Sequence, residues 1–491
     1  MILSIFGCDS AAPCSCVVFP AVNMRVVHLL RKLDPEEWGG TETAIQRLLE
    51  GLRQHRITSV VYCPNVKSNR RGGGLQDPLI RAGHSVRRFK SFLPVLGISR
   101  QYRDQCVAVG GNLMSFDLPW KLWHEKDVSV VHAHTSGRLG GIGLALARRR
   151  RIPFVITIHG GVLDLPEQLK ASFSNRPEQG WDWGRVFGFV LRSRHLFEEA
   201  DAILTCNPRE AELWRERYPH KRIVVQPHGV PLAQYQSDHR DAALAAFPQL
   251  RINSRGTSKR SAVRGQRSEM RDQSLVTSAA TGKIELLSPA DNRELSQILL
   301  CVGRIDPVKN QGWLLDQARS IFQRHSQALL VFAGPCTDEA YGEAIREKVR
   351  ALGLENRVVM TGGLPPDDPR LIGLFQLATA VILPSVSETF GLVLLEAWAA
   401  GAPVLSSRTS GPSALIQDGQ NGWLFDLDRP ETFHSALDGI LGNPAGAEQA
   451  AARGATEAAQ YSVEAAAGRM KRLYEELIES KHSECRMSRV E

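Results

Sequence analysis

Two glutamates separated by seven residues, Glu388 and Glu396, bracket a run that passes from polar to apolar, Thr389-Phe390-Gly391-Leu392 and onward. A buried strand ends at Pro384, a polar loop follows, and Gly391 opens a helix that closes at Gly401. Strand, loop and helix in this order lie at the carboxyl edge of a sheet, where α/β folds bind ligands. Free backbone N–H groups at the start of that helix, on Gly391 and Leu392, suit a pyrophosphate. Carboxylates this close to a phosphate would repel it unless they face neutral hydroxyls, which a sugar and a ribose supply. Taken alone, the pair also arises by chance, and Glu396 would then only decorate a helix face.

A second group strengthens the first. Val302-Gly303-Arg304 follows an apolar strand, and Lys309 comes five residues after Arg304. Both cations thus sit on a strand-to-helix loop at the same sheet edge, where they can neutralise a diphosphate leaving group, Arg304 as a fork and Lys309 as a point charge. Their alternative is a pair of solvated loop charges. Ala333-Gly334-Pro335 ends the next strand and reads as a turn.

These residues need elements to position them. From Met24, short apolar runs alternate with helical patterns: Arg25–Leu29, Ser59–Cys63, Ser129–Ala133, Phe154–Ile158, Ala202–Thr205 and Ile223–Gln226. The rhythm resumes with Ile298–Val302, Ala328–Ala333, Arg357–Met360, Ala380–Leu383, Pro403–Leu405 and Trp423–Phe425. Continuous rather than alternating apolar runs imply strands covered on both faces, as in parallel sheets. Between them, Thr41–Arg53 carries Ala44, Ile45, Leu48, Leu49 and Leu52 on one helical face. The fold class is therefore α/β, with two doubly wound Rossmann-like domains. The expected boundaries are an extension at 1–23, an N-terminal domain at 24–235, a basic flexible insert at 236–293, a C-terminal domain at 294–445, helices at 446–481 packing back on the N-terminal domain, and a tail at 482–491.

Composition sets outer bounds. The 491-residue chain is 43% hydrophobic and 23% charged, ordinary for a globular protein, with a formal net charge of +8. Between Arg251 and Gln273 seven basic residues face only Glu269 and Asp272, so the charge is concentrated and says little about partners. That stretch has too little apolar surface to offset ordering, which predicts fast amide exchange and a dispensable segment. Nine scattered cysteines without paired C-x-x-C spacing fit a reducing cytoplasm. Met1–Asn23 lacks a basic n-region and is interrupted by Asp9, which favours an over-extended start before Met24 over a targeting signal. No run of about 18 apolar residues exists to form a spanning helix.

The motifs together resemble the family 4 (group 1) glycosyltransferases of the GT-B fold, over most of the chain from Met24 to about Lys481. The family's G-R-x(4)-K phosphate clamp is similar to Gly303, Arg304 and Lys309. Its E-x7-E is similar to Glu388 and Glu396, with Phe390, Gly391 and Leu392 as backbone contacts to the donor. By that resemblance Glu396 would bind the ribose hydroxyls and Glu388 those of the transferred sugar. Gly39-Gly40-Thr41 looks like the family's glycine loop facing acceptor and donor phosphate, and glycines do let a backbone approach a ligand closely. His159 in Thr157-Ile158-His159-Gly160 resembles the strand-end histidine near the transferred sugar. His132 and His134 end another strand, one of them structural, and Asn207 stands where the family has a serine. Two departures stand out: His228-Gly229-Val230-Pro231 replaces N-G-V-D, and Ala414 replaces a glutamate, which puts donor preference or loop packing in question.

The resemblance implies a retaining, metal-independent hexosyltransferase. It would use a nucleotide-sugar donor, no cofactor, and a glycan, lipid-linked or small-molecule acceptor, with a place in polysaccharide biosynthesis. Arg304, Lys309, Glu388 and His159 would form its catalytic group, and two domains would face a central cleft. GT-B folds also host nucleotide-sugar epimerases and phosphorylases, which stay open. A nucleic-acid-binding protein acting through the arginine-rich insert is a third reading; no interleaved aromatics support it, and no nucleic acid is expected. Arg148–Arg151 could touch an anionic membrane from the cytoplasmic side, or simply complement a helix C-terminus.

Overall fold

The structure is a computed structural model that describes residues 24–34, 38–65, 77–100, 103, 113–160, 180–251 and 296–487. The extension at 1–23 and almost all of the basic stretch at 251–273 lie outside the described residues.

The N-terminal half builds one seven-stranded sheet from β1 (Arg25–Leu30), β2 (Thr58–Pro64), β3 (Ser85–Phe89), β4 (Val130–His134), β5 (Phe154–Ile158), β6 (Ala202–Thr205) and β7 (Ile223–Val225). Every pairing is parallel and the order is β3-β2-β1-β4-β5-β6-β7. The C-terminal half repeats the plan with β8 (Gln297–Val302), β9 (Ala328–Ala333), β10 (Val358–Gly362), β11 (Ala380–Leu383), β12 (Val404–Ser407) and β13 (Trp423–Phe425), in the order β10-β9-β8-β11-β12-β13. In each sheet the winding reverses beside the first strand, which opens a crevice at the strand carboxyl ends. Central strands such as Val130–His134 and Ala328–Ala333 are buried along their whole length because helices cover both faces.

The structure corrects several expectations. β3, Ser-Val-Arg-Arg-Phe, went unread because its arginines break the apolar run; as an edge strand it tolerates them. Residues 236–251 are not part of a flexible insert. Leu232–Gln236 and Arg240–Ala246 are helical, and Tyr235, Ala243 and Leu250 are fully buried in the C-terminal core. Their apolar anchors are few and widely spaced, so the segment looks polar in sequence. Of the C-terminal helices, Pro444–Ala458 packs within the C-terminal domain, with Gly454 against Trp398. The next helix, Val463–Met487, buries Ala467, Met470, Tyr474 and Leu477 against Leu52, Val155 and Ala202 of the N-terminal domain. It also runs into the stretch read as a tail. Among the described residues no helix is long and apolar enough to cross a membrane.

Candidate active site

The loop after β8 carries the cations. Gln311, buried at the start of α4 (Gln311–Arg324; α1 being Gly40–Gln54, α2 Gly137–Arg150 and α3 Pro208–Arg217), donates from Nε2 to the Arg304 carbonyl at 2.9 Å. The Asp306 carboxylate accepts the Lys309 backbone N–H at 3.0 Å and lies 3.1 Å from the Arg304 guanidinium. Arg304 keeps 45% of its side chain exposed to the cleft. The strand ends are drawn tightly together here. A Cβ on Gly334, whose φ is +157°, would lie 2.0 Å from the Gly303 carbonyl oxygen, so only glycine fits.

The glutamate loop meets this one directly: Lys309 Nζ sits 2.5 Å from Glu388 Oε2. The two motifs, 79 residues apart, thus form one ion pair at the β8 and β11 strand ends. Gly391 adopts φ +93°, ψ +52° as N-cap of α5 (Leu392–Ala399), with no side chain capping the helix. The N–H groups of its first turn are thus left for a ligand or solvent. Glu388 offers its backbone oxygen to the Gly411 N–H at 2.9 Å, which fixes the loop against the next helix, Ser410–Leu415. Ala414 is exposed on that helix.

Across the cleft, Gly39 caps α1 and its N–H donates to Glu42 Oε2 at 3.1 Å. A Cβ there would lie 4.0 Å from Arg304 Cδ, so the glycine loop and the cation loop face one another. Gly40 is exposed and Thr41 half-buried beside it. Asn207, N-cap of α3, donates from Nδ2 to the Thr389 carbonyl at 2.8 Å and ties the N-terminal domain to the glutamate loop.

Glu396 is neither a surface decoration nor open to the cleft. It is 5% exposed and accepts from the Arg47 guanidinium of α1 at 2.7 Å. Tyr235, from the interdomain connection, completes the group with its hydroxyl 3.4 Å from Arg47. Burial raises the Glu396 carboxyl above its ordinary range, against the pull of Arg47. Burial also opposes the charge on Arg47, yet Glu396 outweighs it and the guanidinium is held charged.

His159 is half-buried at the end of β5 and belongs to an array of five histidines. His134 Nδ1 lies 2.7 Å from His159 Nε2, and His28 Nδ1 lies 3.0 Å from His134 Nε2. His132 bonds through Nδ1 to the Tyr474 hydroxyl and through Nε2 to Thr157 Oγ1, both at 2.6 Å. His228 stacks on His159 at 5.5 Å and meets the edge of Phe390 at 5.1 Å. Burial pushes His28 down to about 3 and His228 to about 4, and holds the other three well below the ordinary imidazole value. His28, His132 and His134 lie near enough to one another to form a possible metal triad among the described residues.

The structure therefore gathers Gly303, Arg304, Lys309, Glu388, Phe390, Gly391 and Leu392 on one side of the cleft, with Gly39, Gly40 and Thr41 opposite. His159 connects to them through His228. Arg47, Tyr235, His28 and His228 went unread as parts of the site. Arg47 left no signal, because at helical spacing it falls outside the apolar face of Ala44, Ile45, Leu48, Leu49 and Leu52.

Comparison with known proteins places both halves of the chain in a family and a fold. Residues 38–234 match the model of Glycosyltransferase Family 4, and residues 285–458 that of Glycosyl transferases group 1. D-inositol 3-phosphate glycosyltransferases from Rhodococcus jostii (strain RHA1) and Rhodococcus opacus (strain B4) are 33% and 28% identical over 347 residues. Those matches cover 68% of this chain and 64% of each relative. Anabaena HepE in complex with UDP superposes with a TM-score of 0.62 at 16% identity, covering 92% of this chain and all of that one. Sucrose-phosphate synthase from Thermosynechococcus elongatus gives 0.62 at 19% identity, covering 93% of this chain and all of that one. Both share the GT-B fold of two Rossmann-like domains about a cleft. With its two halves matched in order, the chain belongs to the group 1, family 4 glycosyltransferases.

Proposed function

We propose that this protein transfers a hexose-type sugar from a nucleoside-diphosphate sugar to an acceptor hydroxyl, with retention of anomeric configuration and without a metal ion. The observation that carries this reading is the meeting of Arg304, Lys309, Glu388 and the α5 N-terminus at one pair of strand ends, opposite Gly39. Diphosphate charge is met there by a guanidinium, an ammonium and backbone N–H groups. Each such preorganised group is worth roughly 2.7–4 kcal/mol to a transition state that develops phosphate charge. The C1–O bond breaks with its electron pair leaving on the diphosphate, toward Arg304 and Lys309. The acceptor oxygen bonds to C1 on the same face, and its proton passes to the departing phosphate oxygen. Glu388 holds the sugar hydroxyls and His159 orients the ring. Complexes of HepE with UDP and with UDP-glucose make uridine donors the first to try. Incubating the purified chain with a panel of UDP-, GDP- and ADP-sugars tests the reading: accelerated release of one nucleoside diphosphate supports it, and none from any donor refutes it.

The acceptor is sugar-containing or lipid-linked in this reading, and one surface favours a membrane. Phe116, Trp120 and Trp123 lie outward at helical spacing along Asp117–Trp123, as do Val186, Phe189 and Val190 along Arg185–Val190. Phe116 packs on Phe187, which joins the two patches, and Arg149, within the basic run Arg148–Arg151, lies over Trp123 at 4.2 Å. Apolar rings beside a basic run suit an anionic bilayer surface. Co-sedimentation with phosphatidylglycerol vesicles but not with phosphatidylcholine vesicles is the expected result.

A further inference from the structure

We propose that Arg47 is a latch on the donor site: its guanidinium holds Glu396 until a nucleoside diphosphate takes that carboxylate from it. The inference rests on the transfer reading, with Glu396 on the ribose, and it adds a residue of the N-terminal domain that no motif assigns.

Arg47 lies two turns into α1, behind the glycine loop, and Glu396 lies one turn into α5, behind the glutamate loop. They meet across the cleft through Nη2 and Oε1 at 2.7 Å, with side chains 2% and 7% exposed. The Tyr235 hydroxyl lies 3.4 Å from the same Nη2 and donates to the Pro366 carbonyl at 3.2 Å. Gln46, beside Arg47 on α1, donates from Nε2 to Asp367 Oδ2 at 3.3 Å. The helix α1 is thus pinned both to α5 and to the loop that follows β10.

A ribose presents two neighbouring hydroxyls, and such a diol grips a carboxylate through both of its oxygens. Here one oxygen belongs to Arg47 and the glutamate is buried, so guanidinium and ribose exclude one another. Two groups that compete for one carboxylate are thermodynamically linked. Whatever stability the latch contributes, the nucleotide loses in apparent affinity.

The pair is made to be exchanged rather than kept. A guanidinium carries five N–H donors, and a buried ion pair is favourable only when those left over are also bonded. Nε and Nη1 of Arg47 are buried without a protein partner, so one nitrogen carries the whole contact. Arg138, equally buried, is held differently: its Nε donates to the Gly184 carbonyl and its Nη2 to both oxygens of Asp182. Asp367, exposed on the loop after β10, also stabilises the charge on Arg47. The guanidinium therefore has a counter-charge to turn to once Glu396 is taken.

Calorimetric titration of the full chain with UDP, GDP and ADP in turn reads the latch. Arg47→Met keeps the length of the side chain and removes its charge and its donors. The expected result is a lower urea midpoint together with a Kd for the bound nucleotide tightened roughly 10-fold or more. That is the gain when a competent state populated at no more than about 10% becomes the only one. A merely structural ion pair would move the midpoint and leave Kd alone, and that outcome would overturn the inference. So would a weaker Kd, which would mean that Arg47 holds Glu396 in place for the ribose. Should Arg47→Met fail to fold, Tyr235→Phe loosens the latch without stranding a charge. It is expected to tighten Kd roughly 2- to 10-fold, as for one neutral hydrogen bond, and an unchanged or weaker Kd there would overturn the inference equally. A nucleotide bound by the wild type without any such gain refutes the latch alone. No binding of any of the three, by wild type or variant, refutes the transfer reading and the latch with it.

Discussion

Arg304 and Lys309 differ in what they touch, and their substitutions should differ only in degree. Arg304 leans on Asp306 and keeps nearly half its side chain open, whereas Lys309 lies against Glu388. Replacing either with alanine removes a charge preorganised for the leaving diphosphate, so kcat should fall roughly 10²–10³-fold in a folded protein. Turnover near wild type in both variants would contradict the assignment. These residues were legible in the sequence because each motif is local, a few residues at one strand end. The Arg47–Glu396 pair was not, since its members stand 349 residues apart and meet only in the folded two-domain chain. Glu396→Ala leaves Arg47 buried without a counter-charge, which should cost about 3–5 kcal/mol of stability. By the family resemblance Glu396 would face the ribose, which requires its carboxylate to leave Arg47; on that reading Glu396→Ala also weakens nucleoside-diphosphate binding by about 1.5–3 kcal/mol. The double variant Arg47→Met/Glu396→Gln should recover much of the stability and none of the affinity. Denaturant titration and calorimetry separate the two effects, and unchanged affinity in both variants would assign Glu396 to the interdomain contact alone.

Strands β1, β4 and β5 bring the histidines together, and that has a consequence for acid stability. His28 and His132 are register partners on adjacent parallel strands, and His134 follows two residues later on the same face. In the unfolded chain each takes up a proton as the pH falls through the ordinary value of 6.5; in the folded protein His28 does so only near 3 and His228 near 4. The unfolded state therefore binds more protons between those limits. The stabilisation is complete above about 6.5 and is lost as the pH drops toward 4, by up to about 1.4 kcal/mol per pH unit for each histidine that stays neutral. Urea midpoints should fall steeply from roughly pH 7 to pH 5, and less steeply in His28→Phe; a flat profile would mean that the rings charge within the fold. At this scale the apolar strands were readable because burial on both faces leaves an unbroken signature. β3 and the helices at 232–246 were not. The former alternates arginine into an edge, and the latter hang on Tyr235, Ala243 and Leu250, anchors too sparse to form a period.

As a whole molecule the protein is two parallel sheets joined by polar and aromatic contacts across the cleft and by the apolar face of a helix that clasps the N-terminal domain. Asn207 to Thr389, Arg47 to Glu396 and His228 to Phe390 cross the cleft, and the helix Val463–Met487 returns from the C-terminal domain to clasp the N-terminal one. Such a cleft can open for a ligand and close around it without unpacking either core. The central claim is same-face transfer supported by Arg304 and Lys309 behind the leaving group. Its most direct test is the anomeric configuration of the first product, read by nuclear magnetic resonance from the α-linked nucleoside-diphosphate sugar that the wild-type chain consumes. An α-linked product, lost in parallel with Arg304→Ala and Lys309→Ala, is the expected result; a β-linked product would contradict the account.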